Sequence, residues 1–152
     1  MHFAQPVRSP SDTLDPAWEQ WLALVGLAAA EAEQPAWSGC VQVREARPVG
    51  APLLHGSTVR VDSSRATALV RQLADRLGVV SIERVDPLAL ILGGLERDWD
   101  TLEGLASKLA IAFDTAAVLG EIAAMPVLID AARALGDELS RTWQRGYCPV
   151  CG

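Results

Sequence analysis

Lysine is almost missing from this chain. Lys108 is the only one, and the other twelve basic residues are arginines. They are scattered, from Arg44 and Arg47 through Arg60, Arg65, Arg71, Arg76, Arg84 and Arg97 to Arg133 and Arg141, with no stripe along one helix face. Nucleic-acid affinity comes largely from clustered Lys and Arg meeting phosphates. A chain of net charge −6 without such clusters is therefore expected to have no nucleic-acid partner. Histidine is scarce too, with only His2 and His55. There is no HExxH pair, no phosphate-cradling Gly-rich loop and no Ser/His/Asp order, so the familiar metalloprotease, nucleotide-hydrolase and serine-hydrolase signatures are missing. Three cysteines, an odd count, argue against a disulfide framework. Long apolar runs are lacking as well. The longest, Leu22 to Ala30, is well short of the roughly 20 residues a bilayer needs. Met1 to Arg8 holds no apolar core of a secretory signal. These absences together lead us to expect a cytoplasmic protein without membrane contact.

What remains is rich in Ala, Leu and Val. Five of the eight aromatic residues are tryptophans: Trp18, Trp21, Trp37, Trp99 and Trp143. That mixture favours helices over strands, and 152 residues suffice for one domain with a real core.

Residues 1–13 carry Pro6, Ser9, Pro10 and Ser11 and read as a loose N-terminal arm. Asp15 then offers an N-cap and Pro16 a first helical residue whose missing N–H costs nothing. Trp18, Trp21, Leu22, Val25, Ala29 and Ala32 follow at helical spacing, so the two tryptophans are expected in the core. On an exposed face they would instead mark a partner site. Gln34-Pro35 stops this helix. Pro48, Gly50, Pro52 and Gly56 make residues 36–61 a long connection. Short extended pieces are expected at Cys40–Val43 and Thr58–Val61, and Leu53-Leu54 are expected to turn inward.

Asp62 or Ser63 caps the next helix. Its buried face is Ala66, Leu69, Val70, Leu73 and Leu77, and Gly78 is its C-terminal cap. Asp86-Pro87 opens a short helix through Leu88, Ile91, Leu92 and Leu95, with Gly93-Gly94 as a soft end. Asp100 with Glu103 reads as a capping box ahead of the stripe Leu102, Leu105, Ala106, Leu109 and Phe113. The acids from Glu96 to Glu103 suit a solvated helix start. Asp114 or Thr115 caps a further helix through Val118, Leu119 and Ile122. Pro126 marks a kink or a fresh start, and the last helix carries Leu128, Ala131, Ala132, Leu135, Leu139 and Trp143 as far as Gly146. The expected fold is all-α: an irregular bundle of about six short helices over residues 14–145, with a long early loop.

Chemistry concentrates at residues 146–152. Cys148-Pro149-Val150-Cys151-Gly152 has the spacing of a rubredoxin-like or zinc-ribbon knuckle, in which a two-residue turn aims both thiolates at one metal. Pro149 pre-sets the turn, and Gly152 lets nearby N–H groups face the sulfurs. A closed site needs four ligands, and Cys40, His2 and His55 each stand alone. The leading reading is that Cys148 and Cys151 are the stump of a knuckle whose second half lies beyond Gly152. Alternatives are a complete site within the chain, a metal shared by two copies of a homo-oligomer, a thioredoxin-like redox pair and an inert tail. Cys40 reads as a small buried residue, and His55 as a loop residue with an ordinary hydrogen bond.

Residues 143–152, Trp-Gln-Arg-Gly-Tyr-Cys-Pro-Val-Cys-Gly, resemble the start of the metal-binding half of the formate dehydrogenase accessory protein (FdhE) family. The Ala- and Leu-rich helices before them, and Pro52-Leu53-Leu54-His55-Gly56, are similar to that family's N-terminal region. The resemblance implies a cytoplasmic, non-enzymatic maturation factor that binds the immature formate dehydrogenase catalytic subunit. It also implies iron or zinc held by Cys-x-x-Cys pairs, of which only Cys148 and Cys151 fall in this sequence. Two other functions stay open on the residues alone: a thiol redox or sulfur-handling protein, and a helical regulator with a lost zinc ribbon.

Overall fold

A computed structural model describes residues 15–42, 51–52, 54–142 and 148. Among the described residues six α-helices form the bundle: α1 (Pro16–Ala32), α2 (Ser63–Leu77), α3 (Pro87–Glu96), α4 (Trp99–Leu109), α5 (Phe113–Ala123) and α6 (Met125–Thr142). The expected all-α bundle with a long early loop is what is found. The N-terminal arm and most of the Cys-x-x-Cys segment lie outside the described residues.

Local chemistry sets most helix ends. Asp15, Asp62 and Asp86 each cap a helix by accepting from a backbone N–H: Ala17 at 2.9 Å, Arg65 at 3.0 Å and Leu88 at 3.0 Å. Gly78 closes α2 in the left-handed conformation. Two expected caps are wrong. Asp98, not Asp100, caps α4, accepting from the Thr101 N–H at 3.1 Å and the Thr101 hydroxyl at 2.6 Å. Bonds from Thr101 hold the Asp98 carboxyl below the usual carboxylate range. Helix α5 begins after Ala112, so neither Asp114 nor Thr115 is its cap. Phe113 opens α5 on the surface instead of ending the stripe of α4.

The central contact is between α3 and α5, with α2 and α4 packed beside them. Leu69, Val70 and Leu73 of α2, Leu90 and Ile91 of α3, Leu102 of α4 and Leu119 of α5 are fully buried there. Gly93-Gly94 is no soft end. Both glycines are buried inside α3, and a Cβ on Gly94 would lie 2.1 Å from the Gly120 carbonyl carbon. The two backbones touch at Gly94 and Gly120 because neither residue has a side chain to hold them apart.

Helix α6 starts afresh, with Pro126 at its second position, and breaks at Gly136 (φ 52°, ψ −157°). Val127 and Ala131 are buried, whereas Ala132 faces solvent. By length and composition Phe113–Ala134 could cross a bilayer, but 56% of its apolar window is buried inside the bundle.

The early connection is anchored at both ends. Val41–Gln42 (β1) pairs antiparallel with Thr58–Val59 (β2), within the two extended pieces expected there. Leu54 packs against the core, and Leu53 lies outside the described residues. Trp37 is fully buried, and its indole N–H donates to Glu31 at 2.9 Å. Glu31 also pairs with Arg65 of α2 at 2.9 Å.

Candidate functional site

Cys148 is exposed, and Cys151 lies outside the described residues. Among the described residues no three His, Cys, Asp or Glu side chains gather to hold a metal. Two thiolates suit zinc or iron in chemistry but leave a tetrahedral site two ligands short.

Cys40 has a different role from Cys148. It is buried, as expected, beside Asp130 of α6. Burial and the neighbouring carboxylate, to which the thiol donates, push its pKa up to about 12, so the sulfur stays protonated and unreactive. Asp130 itself was not singled out from sequence. It is 9% exposed and accepts from the backbone N–H groups of Gly39 at 3.0 Å and Val41 at 3.3 Å. One carboxylate thus ties the early connection to α6. The available signal was an acid within an otherwise apolar stretch of α6, Val127-Leu128-Ile129-Asp130-Ala131.

His55 sits at the tip of two successive turns, His55 N–H to Pro52 O (3.1 Å) and Ser57 N–H to Leu54 O (3.0 Å), with Gly56 at φ 71°. A recess of about 270 Å³ separates this turn from Leu95, Glu96 and Arg97 at the end of α3.

The largest departure from expectation is on α1. Its buried residues are Leu24, Ala28 and Ala32, which pack towards α6, α2 and α5. Trp18, Trp21 and Leu22 instead face outward, 55%, 44% and 46% exposed. The expected core stripe is a true stripe at i, i+3, i+4 spacing, but it points to solvent at its N-terminal end. Helix α1 is apolar on two faces, and its smaller residues won the core side. Ala28 and Ala32 let neighbouring helices approach closely, which two indoles would prevent. The indoles meet edge to face, centroids 5.7 Å apart, beside an open, nearly all-apolar recess of about 450 Å³ lined by Ala17, Trp18 and Trp21.

The electrostatics along α1 are uneven. Glu31 is paired with Arg65, and Glu33 with Arg133, whose guanidinium also donates to the Ala32 carbonyl at 3.1 Å. Glu19, which flanks the aromatic patch, has no ion-pair partner among the described residues. A second edge-to-face pair, Trp99 and Phe113, is exposed at the starts of α4 and α5, centroids 6.1 Å apart. The feature that this geometry offers is an exposed aromatic face on α1. No family model, curated protein or solved structure matches the chain.

Proposed function

We propose that the chain is the helical part of a cytoplasmic assembly factor that binds an immature formate dehydrogenase catalytic subunit. The observation that carries the reading is the outward face of Trp18, Trp21 and Leu22 on an otherwise well-packed bundle. Exposing two indoles side by side forgoes the burial that would stabilise the domain, which suits a surface held for a partner. The resemblance of the terminal Cys148–Cys151 segment to an accessory-protein family names the partner. Iron or zinc at Cys148 and Cys151, completed by further ligands, is part of the reading. Binding of the subunit is assigned to the helical domain, on the exposed Trp18 and Trp21.

The test is direct binding between the purified chain and purified formate dehydrogenase catalytic subunit before cofactor insertion. A saturable complex is expected. Trp18→Ala combined with Trp21→Ala should weaken it at least about tenfold while helical circular dichroism stays unchanged, since two exposed anchors are lost and no core is opened. Absence of a complex, or full affinity in the double variant, would refute the reading.

A further inference from the structure

The docking face on α1 also says what kind of segment covers it. Its uncovered apolar area, two half-exposed indoles and Leu22, is roughly 300 Å². A stable interface between two folded proteins needs about 800 Å² per partner. The patch is therefore only part of what such an interface buries, and it matches the apolar side of one short helix. Spacing agrees. Trp18, Trp21, Leu22 and the half-buried Val25 stand at i, i+3, i+4 and i+7, the register in which one helix receives the side chains of another.

Charge narrows the choice. Helix α1 contains no Lys or Arg. Glu31 and the C-cap Glu33 are paired with Arg65 and Arg133, whereas Glu19, one turn from Asp15 and next to Trp18 and Leu22 along the helix, has no ion-pair partner among the described residues. Arg76 of α2 meets α1 through its backbone carbonyl, which accepts from the Gln20 side-chain amide at 3.2 Å. A second α1 would bring acid against acid. An anionic bilayer would meet the same Glu19 and a chain of net charge −6. A cationic side chain instead gains both Glu19 and the two indole faces.

We infer that the occupant of the Trp18–Trp21–Leu22 face is a short amphipathic helix of a partner protein, apolar on its contact side and carrying Arg or Lys where it passes Glu19. This rests on the docking role proposed above and adds the chemistry of the segment recognised.

Two synthetic Leu/Ala helices about three turns long test it, one with Arg flanking the apolar side and its twin with Glu at the same positions. Each is titrated into the full chain by calorimetry. The Arg peptide should bind about tenfold more tightly than its twin at low salt, and the gap should narrow at high salt. Glu19→Lys should reverse the order. Trp18→Ala with Trp21→Ala should abolish both without loss of helical signal. Equal binding of the two peptides, or binding of neither, overturns the inference. So does a concentration-dependent dimer that disappears in the double tryptophan variant, or a blue shift of Trp emission on phosphatidylcholine vesicles alone. Failure here with the dehydrogenase subunit still captured through the tryptophans refutes only the chemistry of the segment. The expected peptide preference without subunit capture refutes only the assembly role.

Discussion

Replacing Gly94 by Ala tests whether the α3–α5 crossing is as close as it stands. The added methyl would lie 2.1 Å from the Gly120 carbonyl carbon, 2.2 Å from its oxygen and 2.6 Å from the Glu121 nitrogen. Ordinary contact begins at 3.4 Å, so the two helices would have to part by about 1.3 Å, and the obstacle is backbone, which cannot rotate away. Parting them loosens Leu90, Ile91 and Leu119 on either side. Overpacking of this kind costs about 3 kcal/mol or more, against a helix-propensity gain of at most about 1 kcal/mol for Gly to Ala. A net loss of about 2 kcal/mol or more is expected, a large share of the roughly 5–15 kcal/mol that holds a domain together. Urea unfolding followed by circular dichroism reads it as a lower midpoint at unchanged slope. Gly104→Ala is the matched control. That residue is exposed within α4 with nothing within 4 Å of its added carbon, so the same substitution should be neutral or stabilising by up to about 1 kcal/mol. A Gly94→Ala protein as stable as the parent would show that α3 and α5 do not meet at these glycines.

Further outcomes follow from other contacts. Removing the Asp130 carboxylate by Asp130→Ala leaves the Gly39 and Val41 N–H groups without their acceptor, at a cost of about 3 kcal/mol in urea unfolding; Asp130→Asn, which keeps one acceptor oxygen, should cost less. For Cys40, the unfolded thiol ionises near 9.0 and the folded one near about 12, so the folded chain keeps a proton that the unfolded chain has lost. Stability from this group is therefore complete below pH 9 and declines towards pH 12. The decline is at most about 1.4 kcal/mol per pH unit, less in proportion to any water that reaches the sulfur. Cys40→Ala should flatten that alkaline decline, and an unchanged slope would place the thiol elsewhere. Asp98→Ala should lower the melting temperature whereas Asp100→Ala should not, and the reverse order would restore the expected capping box.

Most helix ends were legible in the sequence, because the signals that start and stop them act within one turn. Asp15-Pro16, Asp62 and Asp86-Pro87 cap through their own nearby N–H groups, and Gly78 ends α2 through its own left-handed backbone, whatever packs around them. The miss at Asp98 was also local: two acids two residues apart both look like caps, and the Thr101 hydroxyl favoured the earlier one. The stripe of α2 was legible because that helix has a single apolar face. Helix α1 has two, and periodicity cannot say which one the other helices will cover. Packing against the other helices put Leu24 and Ala28 inward, together with the expected Ala32, and left Trp18, Trp21 and Leu22 outside as the candidate docking face. Only the tertiary structure decided that Gly94 meets Gly120 and that Asp130 reaches Gly39 and Val41, contacts between residues far apart in the chain. Such contacts follow from which surfaces fit together in space, and no local pattern encodes that fit.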